Sequence, residues 1–379
     1  MATAEPLYRR TLETRERLLG PDHPDTLTSI DGLALLLHTQ GDLIAAEALY
    51  RRAFETRERL VGPDHPDTLH NLNNLAVLLS NKGDHAAAEA LFRRALEANA
   101  RVLGPDHQDT LASLNNLAVL LTKKGDLIAT EALYRRELEA RERVLGPTHP
   151  DTLRSIYNLA GLLNNKGDLI AAEPLYRRAF EAQERVLGPD HPDTFSTFYN
   201  LAVLLSARGD LAAAESLYRR ALAAQERVFG PDHPDTLASL NNLGVLLRDA
   251  GDLAAAEPLY RRALAAQERV LGPDHEDTLA SLNNLGVLLS DTGDLAAAES
   301  LYRRTLAARE RVLGPDHEDT LHSINNLATL LSDKGDLAAA EPLYRRGLEA
   351  AERALGPNHG AAHWLRWKLS LLLEQKGRS

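Results

Sequence analysis

The chain has 379 residues, of which 44% are hydrophobic and 26% charged, so it has enough apolar material for a core and its composition argues against disorder. The net charge of -11 argues against a general phosphate-binding surface, and the absence of cysteine excludes disulfides, thiolate metal sites and a cysteine nucleophile. No stretch approaches about 18 apolar residues and the N-terminus lacks a basic segment or an apolar run, so we expect a cytoplasmic chain with no membrane partner.

A glycine that opens a loop of the form Pro-x-His recurs along the whole chain. It returns every 42 residues, at Gly20, Gly62, Gly104, Gly146, Gly188, Gly230, Gly272, Gly314 and Gly356. Self-similarity at a fixed period predicts a single repeat array over residues 1–379, not several globular domains. The repeats at 231–272 and 273–314 differ at six of 42 positions, which indicates recent duplication or consensus design.

In chain order, the pattern begins inside the second helix of a repeat, which is predicted over residues 4–19. Eight complete helix pairs follow over residues 23–356. A single first helix, predicted over residues 359–376, is expected to cap the array. No β-type alternation occurs, so the sequence predicts eighteen helices and an all-α fold.

The repeat at 231–272 shows why each unit of the pattern is a helix pair. Its first helix places apolar residues on one face about 120° wide, namely Leu237, Leu240, Leu243, Gly244 and Leu247. Gly251 suits the end of this helix, and Asp252 suits the N-cap of a second helix over residues 253–270. Neither helix can bury its apolar face alone, so the pairs must stack, with one small residue where the two helices cross.

These residues resemble the tetratricopeptide repeat in its 42-residue form. The resemblance rests on Leu243-Gly244 in the first helix and on Ala256, Tyr260 and Ala263 in the second. The run Gly-Pro-Asp-His-Pro-Asp-Thr-Leu, followed by Leu-Asn-Asn-Leu-Ala-Val-Leu-Leu, is similar to the repeats of kinesin light chain and of many bacterial and fungal signalling proteins. The resemblance implies a right-handed α-solenoid of stacked antiparallel helix pairs. The heptad coiled coil of kinesin light chain is absent, so a motor role is not implied.

The third helix pair departs from this pattern. Thr130 and Glu137 stand there in place of small alanines, so its packing is expected to differ from that of the other pairs.

Histidines occupy the same loop in every repeat, and they invite a metal or catalytic interpretation. The nine are His23, His65, His107, His149, His191, His233, His275, His317 and His359. Stacked repeats would hold them roughly 10 Å apart, too far to share a zinc ion. We therefore predict turn and cap residues, no metal and no cofactor. No isolated Ser/His/Asp set or phosphate-binding glycine loop occurs, so the chain is not expected to be an enzyme.

Arginine pairs are equally repetitive and could suggest a nucleic-acid stripe. Each first arginine, however, follows a glutamate by four residues, as in Glu5–Arg9, Glu47–Arg51, Glu89–Arg93, Glu131–Arg135, Glu173–Arg177, Glu215–Arg219, Glu257–Arg261, Glu299–Arg303 and Glu341–Arg345. This order stabilises a helix by roughly 0.3–0.5 kcal/mol per pair. The arrangement favours a solvated, self-paired face and no nucleic-acid partner.

Asparagines in the first helices are the strongest candidates for binding residues. They form two positions per helix, and the candidates are Asn73, Asn74, Asn115, Asn116, Asn158, Asn200, Asn241, Asn242, Asn283, Asn284, Asn325 and Asn326. On a helical wheel the two positions lie away from the apolar face, and Asn is a poor residue inside a helix. The resemblance implies that such residues line an inner groove and bind backbone amides of a peptide. The alternative is that they form hydrogen bonds between neighbouring repeats; we favour binding for the first position and leave the second open.

Departures from repetition indicate where specificity resides, because packing alone would keep every repeat alike. Tyr157 and Tyr199 replace the first Asn, and Arg154 joins the same face. Since Tyr and Arg are common anchors at interfaces, we predict a hot spot at Tyr157, Asn158, Tyr199 and Asn200.

Charges and tryptophans vary along the same face. Cations precede acids, in the order Lys123, Arg154, Asp249, Asp291 and Asp333, which suggests a ligand of opposite polarity or simply a solvated face. Trp364 and Trp367 on the last helix either close the groove or belong to an end cap.

The sequence therefore predicts a protein-interaction scaffold that binds an extended peptide, or a helix of a partner, along a concave inner groove. Two alternatives come from other functional classes. The array could be the sensor arm of a larger signalling ATPase or protease, or a consensus-designed scaffold without a natural ligand.

Overall fold

The structure, a computed structural model, describes residues 4–378 except for the side chains of Asp193, Gly377 and Arg378. The predicted array also includes residues 1–3 and 379, which lie outside this range. Between residues 4 and 378 all eighteen predicted helices are present and no strand is found, so the predicted fold class is confirmed. The helices are α1 (Ala4–Leu19), α2 (Pro24–Gln40), α3 (Leu43–Val61), α4 (Pro66–Asn81), α5 (His85–Val102), α6 (Gln108–Lys123), α7 (Leu127–Leu145), α8 (Pro150–Asn165), α9 (Leu169–Val186), α10 (Pro192–Ala207), α11 (Leu211–Val228), α12 (Pro234–Asp249), α13 (Leu253–Val270), α14 (Glu276–Asp291), α15 (Leu295–Val312), α16 (Glu318–Asp333), α17 (Leu337–Leu355) and α18 (Gly360–Arg378).

The helices fall into two compact units, Met1–Val186 and Leu187–Ser379. The first unit contains α1 to α9 and the second contains α10 to α18. Within each unit every helix packs against the next one along the chain, which gives an α-solenoid of stacked antiparallel pairs. The even-numbered helices are the first helices of the repeats and form one layer, while the odd-numbered helices form the other.

Short polar side chains and glycines set the helix ends. In the repeat that starts at Pro231, the Nδ1 atom of His233 accepts a hydrogen bond of 3.2 Å from the amide of Asp235, so the histidine is the N-cap of α12. Gly251 has φ +85°, a conformation that favours glycine, and it separates the two helices. Asp252 then caps α13 by accepting from the amide of Ala255 at 3.0 Å. The predicted turn and cap roles are confirmed.

Each first helix is buried over a wider arc than its apolar pattern predicts. In α12, Leu246 and Ser239 lie outside the predicted face, yet they are 3% and 8% exposed. Both are buried because α12 packs against α11 of the preceding repeat as well as against α13 of its own. The wheel of a single helix does not reveal this second neighbour.

The predicted small residue at the helix crossing is confirmed. A Cβ atom on Gly244 would lie 2.7 Å from Cε1 of Tyr260, closer than real Cβ contacts allow. Tyr260 itself is fully buried, and burial raises its pKa to about 12. The crossing therefore brings the backbone of α12 directly against an aromatic ring of α13.

Thr130 and Glu137, the residues in which the third helix pair departs from the repeat pattern, are buried and hydrogen-bonded. Thr130 donates to the carbonyl of Asp126 at 2.8 Å. Glu137, only 1% exposed, pairs with Arg141 at 2.9 Å and accepts from Ser155 of α8 at 3.0 Å. Burial raises the pKa of Glu137 and lowers that of Arg141, because both charged forms lose hydration.

Candidate functional site

The candidate binding residues share one surface, which we call the asparagine face. It consists of the two asparagine positions of each first helix and the positions that lie between them on the helical wheel, such as those of Val77, Asp249 and Glu318. Neighbouring first helices approach each other within 8 Å between Cα atoms, as α4 and α6 do in the first unit and α12 and α14 in the second. Neighbouring second helices are bridged by long side chains, as in the 2.6 Å pair of Arg52 and Glu16. The asparagine face thus lies where the stacked helices converge.

Two asparagine pairs connect successive repeats through the second position. Asn158 donates to Oδ1 of Asn115 at 3.1 Å in the first unit, and Asn326 donates to Oδ1 of Asn283 at 2.8 Å in the second. Each bond uses one donor and one acceptor of the pair. Within residues 4–378, Nδ2 of the first-position residue and Oδ1 of the second-position residue make no further hydrogen bond. The inter-repeat alternative therefore holds for Asn158 and Asn326. It leaves one amide donor group and one amide oxygen of each pair without a partner in the described range.

Other asparagines are bonded differently or not at all. Asn241 donates to Ser281 of the next repeat at 2.6 Å, and Ser281 donates to the buried Gln267 at 2.5 Å. The first asparagine position is thus connected to a buried polar contact between repeats that the sequence pattern did not reveal. Six candidate asparagines form no side-chain hydrogen bond in the part of the chain that the structure describes: Asn73, Asn74, Asn116, Asn242, Asn284 and Asn325.

The predicted tyrosine anchors are placed in different units. Tyr157 lies on α8 of the first unit, edge-on to Tyr176 at 5.9 Å between ring centroids. Tyr199 lies on α10 of the second unit, 42% exposed and edge-on to Tyr218 at 6.1 Å. Burial raises the pKa of Tyr176 to about 12, so its hydroxyl stays neutral at physiological pH. Each anchor ring therefore rests on a buried, neutral ring of its own repeat.

Asn200 follows Tyr199 on α10 and is half-buried. The hot spot composed of these tyrosines and their asparagines stays a prediction.

The charged candidates on this face are exposed. Arg154 pairs with Asp151 at 2.9 Å on its own helix, and Asp249 pairs with Arg248 at 2.7 Å. Lys123 makes no ion pair among the described residues. The cationic candidates belong to the first unit and the acidic candidates to the second, and a ligand of matching polarity stays a prediction.

The repetitive arginines and lysines belong to the packing of the solenoid. All nine predicted Glu–Arg pairs are formed, at 2.7 to 2.9 Å. Lys82, which caps α4, also binds Glu47 of the preceding second helix. Hydrogen bonds from Lys82 and Arg51 lower the pKa of the Glu47 carboxyl. The self-paired interpretation of the arginine stripe is confirmed.

The two tryptophans are about half exposed, and one of them, Trp364, borders a pocket. Trp364 and Trp367 are 40% and 53% exposed, while Leu365 and Leu369 of the same helix are buried. A pocket of about 230 Å³ lies between α16 and α18, and its lining includes Asn325. The repeat pattern did not indicate this pocket, because Glu318 replaces proline at the start of α16 just as Glu276 does at the start of α14.

Metal and membrane sites were also sought in residues 4–378. No group of three His, Asp or Glu side chains in this range is arranged to hold a metal ion. None of the helices described is long and apolar enough to span a bilayer.

Comparisons with known proteins agree with this geometry. Two sequence profiles described as tetratricopeptide repeat match the chain. One matches residues 1–59, 30–100, 72–129, 152–227, 196–269, 239–311 and 289–353, and the other matches residues 110–151. None of the curated proteins matches this sequence.

Solved structures share the fold. A Podospora anserina protein, described as kinesin light chain with nearly identical TPR-like repeats, is 24% identical with a TM-score of 0.50, over 54% of this chain and 97% of its own. BtubC (BKLC) from P. vanneervenii is 25% identical with a TM-score of 0.52, over 62% and 93%. The apo form of RapI is 14% identical with a TM-score of 0.53, over 76% and 98%.

Proposed function

Since the chain belongs to the tetratricopeptide repeat family, whose members are in general protein-interaction scaffolds, we propose that its asparagine face binds an extended peptide segment of a partner protein. The proposal applies to each compact unit separately. It favours a peptide over a small-molecule ligand, because the candidate polar groups are spread along successive helices.

The observation that carries this proposal is the geometry of the asparagine pairs. The bond from Asn158 to Asn115 fixes the orientation of both amides, so the remaining donor and acceptor are held in place before a ligand arrives. The pair of Asn326 and Asn283 repeats this arrangement in the second unit. A ligand with one donor and one acceptor in every unit of its backbone complements such pairs, and a peptide is that ligand. Preorganised groups also lower the ordering penalty of binding.

The spacing of the repeats supports the same ligand. Stacked helices lie roughly 10 Å apart, and an extended chain rises about 3.3 Å per residue. About every third peptide unit would therefore meet the asparagine positions of another first helix, and one hydrogen-bonded pair would lie along each compact unit. The side chains between these contacts would face positions such as Val77, Val119 and Tyr199, which offer apolar area.

The test is a selection of peptides of about 12 residues against the full chain, followed by affinity measurements with variants. Asn242→Ala is expected to weaken selected peptides of the second unit about tenfold without changing the melting temperature, because its side chain has no protein partner. Asn158→Ala is expected to weaken peptides of the first unit and also to lower stability by about 1 kcal/mol, since it removes a hydrogen bond between repeats.

Asn358→Ala is the matched control, because it makes the same chemical change in the exposed loop before α18. Affinities that fall equally in Asn358→Ala and Asn242→Ala would contradict binding on the asparagine face. Failure to select any peptide would instead favour a scaffold without a ligand or a sensor arm that needs further domains.

A further inference from the structure

We propose that the asparagine face of the second unit selects a basic segment, with one arginine or lysine of the partner held in the pocket between α16 and α18. The inference rests on the proposed function and names the chemistry of the ligand. It concerns α14, α16 and α18, which lie within one compact unit.

The first argument is unpaired negative charge. Helices α14 and α16 each contain three carboxylates and neither lysine nor arginine. Within the part of the chain that the structure describes, none of Glu276, Asp291, Glu318 and Asp333 forms an ion pair, and all four are exposed. On the second helices most carboxylates of this unit are instead paired with cations; Glu299, for example, binds both Arg303 and Lys334. Helices α14 and α16 therefore present unpaired carboxylates on the asparagine face, and these attract cations.

The second argument is that two of these acids stand where helix stability disfavours them. Asp291 and Asp333 are the last residues of α14 and α16, next to the negative end of the helix dipole. The corresponding positions in the first unit are Asn81, Lys123 and Asn165, which avoid this repulsion. Local stability does not account for aspartate here, whereas binding a cationic partner does.

The third argument is the pocket itself. Its volume is about 230 Å³, and its walls include Leu321, Leu365 and the indole of Trp364, with Glu318 among the lining residues. An arginine or lysine side chain combines an apolar stem with a cationic head. The stem fits against the leucines and the indole, and the head can reach the unpaired carboxylate of Glu318. A purely apolar side chain would leave this carboxylate beside it without a partner.

The tryptophans already attract a cation of the same chain. Nζ of Lys368 lies 4.9 Å from the ring centroid of Trp364 and 5.6 Å from that of Trp367. This cation–π contact is on the exposed side of α18, and it shows that the rings accept a charged group. An incoming basic side chain would extend the same interaction or displace Lys368.

The experiment uses the intrinsic fluorescence of the full chain, because Trp364 and Trp367 are its only tryptophans. The probes are two peptides of about 12 residues that span three first helices. One alternates arginine, leucine and serine, and the other carries glutamate in place of each arginine. We expect a saturable fluorescence change with the basic peptide alone, weakened at least about fivefold when salt rises from about 50 to about 300 mM.

Variants locate the site. Glu318→Gln and the double variant Asp291→Asn/Asp333→Asn are each expected to weaken the basic peptide about tenfold. Both variants should stay folded, and the double variant should melt no lower than the wild type, because Asn removes the repulsion from the helix dipole. Glu349→Gln is the matched control, because it removes an exposed carboxylate from the other layer of the same unit and should change affinity less than twofold. Trp364→Ala, measured by calorimetry, should also weaken binding about tenfold.

Three outcomes would overturn the inference: equal binding of both peptides, equal losses in Glu318→Gln and Glu349→Gln, or no saturable response to the basic peptide. The third outcome is separable from failure of the proposed function. If selected peptides without basic residues still bind and depend on Asn242, the asparagine face binds peptides but does not select positive charge.

Discussion

The hydrogen bonds and ion pairs of an individual side chain depend on which residues of the neighbouring repeat lie next to it. Glu137 is the clearest case, because a carboxylate takes a place where most repeats have a small residue. It is tolerated because Arg141 and Ser155 surround it. A buried ion pair of this kind usually contributes little net stability, although breaking it by removing one partner is strongly destabilising.

Arg141→Ala should therefore lower the free energy of unfolding by about 3–5 kcal/mol, because it leaves Glu137 buried without its cation. The double variant Glu137→Ala/Arg141→Gln introduces residues that other repeats carry at these positions, Ala179 and Gln183, and should be neutral or stabilising. Urea unfolding of both variants measures the difference. Equal destabilisation by the single and the double variant would show that the unpaired Glu137 carboxylate does not cause the loss of stability in Arg141→Ala.

At the scale of helices, the same glutamate joins two neighbouring helices in five of the repeats. Glu47 of α3 accepts from Arg51 of its own helix and from Lys82 of α4. The same triad recurs at Glu89, Glu131, Glu299 and Glu341, with Lys124, Lys166, Lys334 and Lys376. In each of them, hydrogen bonds to the two cations lower the pKa of the carboxyl below its ordinary value of 4.5.

These triads predict a loss of stability in acid. A carboxyl whose folded pKa is lowered stabilises the fold at pH values above its unfolded pKa, and the contribution disappears as the pH falls through the folded pKa. The free energy of unfolding should therefore fall progressively below about pH 4.5. A Glu47→Gln/Glu89→Gln/Glu131→Gln variant should show a shallower decline than the wild type in urea unfolding between about pH 7 and 3. Parallel curves would contradict a role for the triads.

At the scale of the whole chain, contacts within each unit join every helix to its neighbours in sequence, and they also join α4 to α6 and α12 to α14. Stability in such an array is a sum over repeats and their interfaces. This connectivity permits a change in length without a change in fold. It also explains why exposed positions of the asparagine face can vary from repeat to repeat while the packing is maintained.

Deletion of residues 273–314 should consequently leave a folded, shorter chain. The deletion joins Gly272 to Pro315 in register and removes a repeat that differs from its neighbour at six of 42 positions. Helical signal per residue should be unchanged, and the denaturant m-value should fall by roughly a tenth. Aggregation or loss of the cooperative transition would contradict nearest-neighbour stability; an equal deletion of 231–272 is the control.

The features that the sequence alone determined are local or periodic. Helix boundaries such as Leu253–Val270 follow from glycine and aspartate at the ends, and the pairing of Glu257 with Arg261 follows from one turn of helix. The 42-residue period then requires stacking, because one helix pair cannot bury its own apolar surface.

Only the tertiary structure decided the contacts between residues of neighbouring repeats. The bond from Asn158 to Asn115, the approach of Ser281 to Gln267 and the pocket beside Trp364 depend on how far each repeat rotates on the last. A periodic pattern specifies which face is buried but not that rotation. For this reason the sequence identified the asparagines as candidates, while only the structure showed which of them, such as Asn158, Asn241 and Asn326, form hydrogen bonds to a neighbouring repeat.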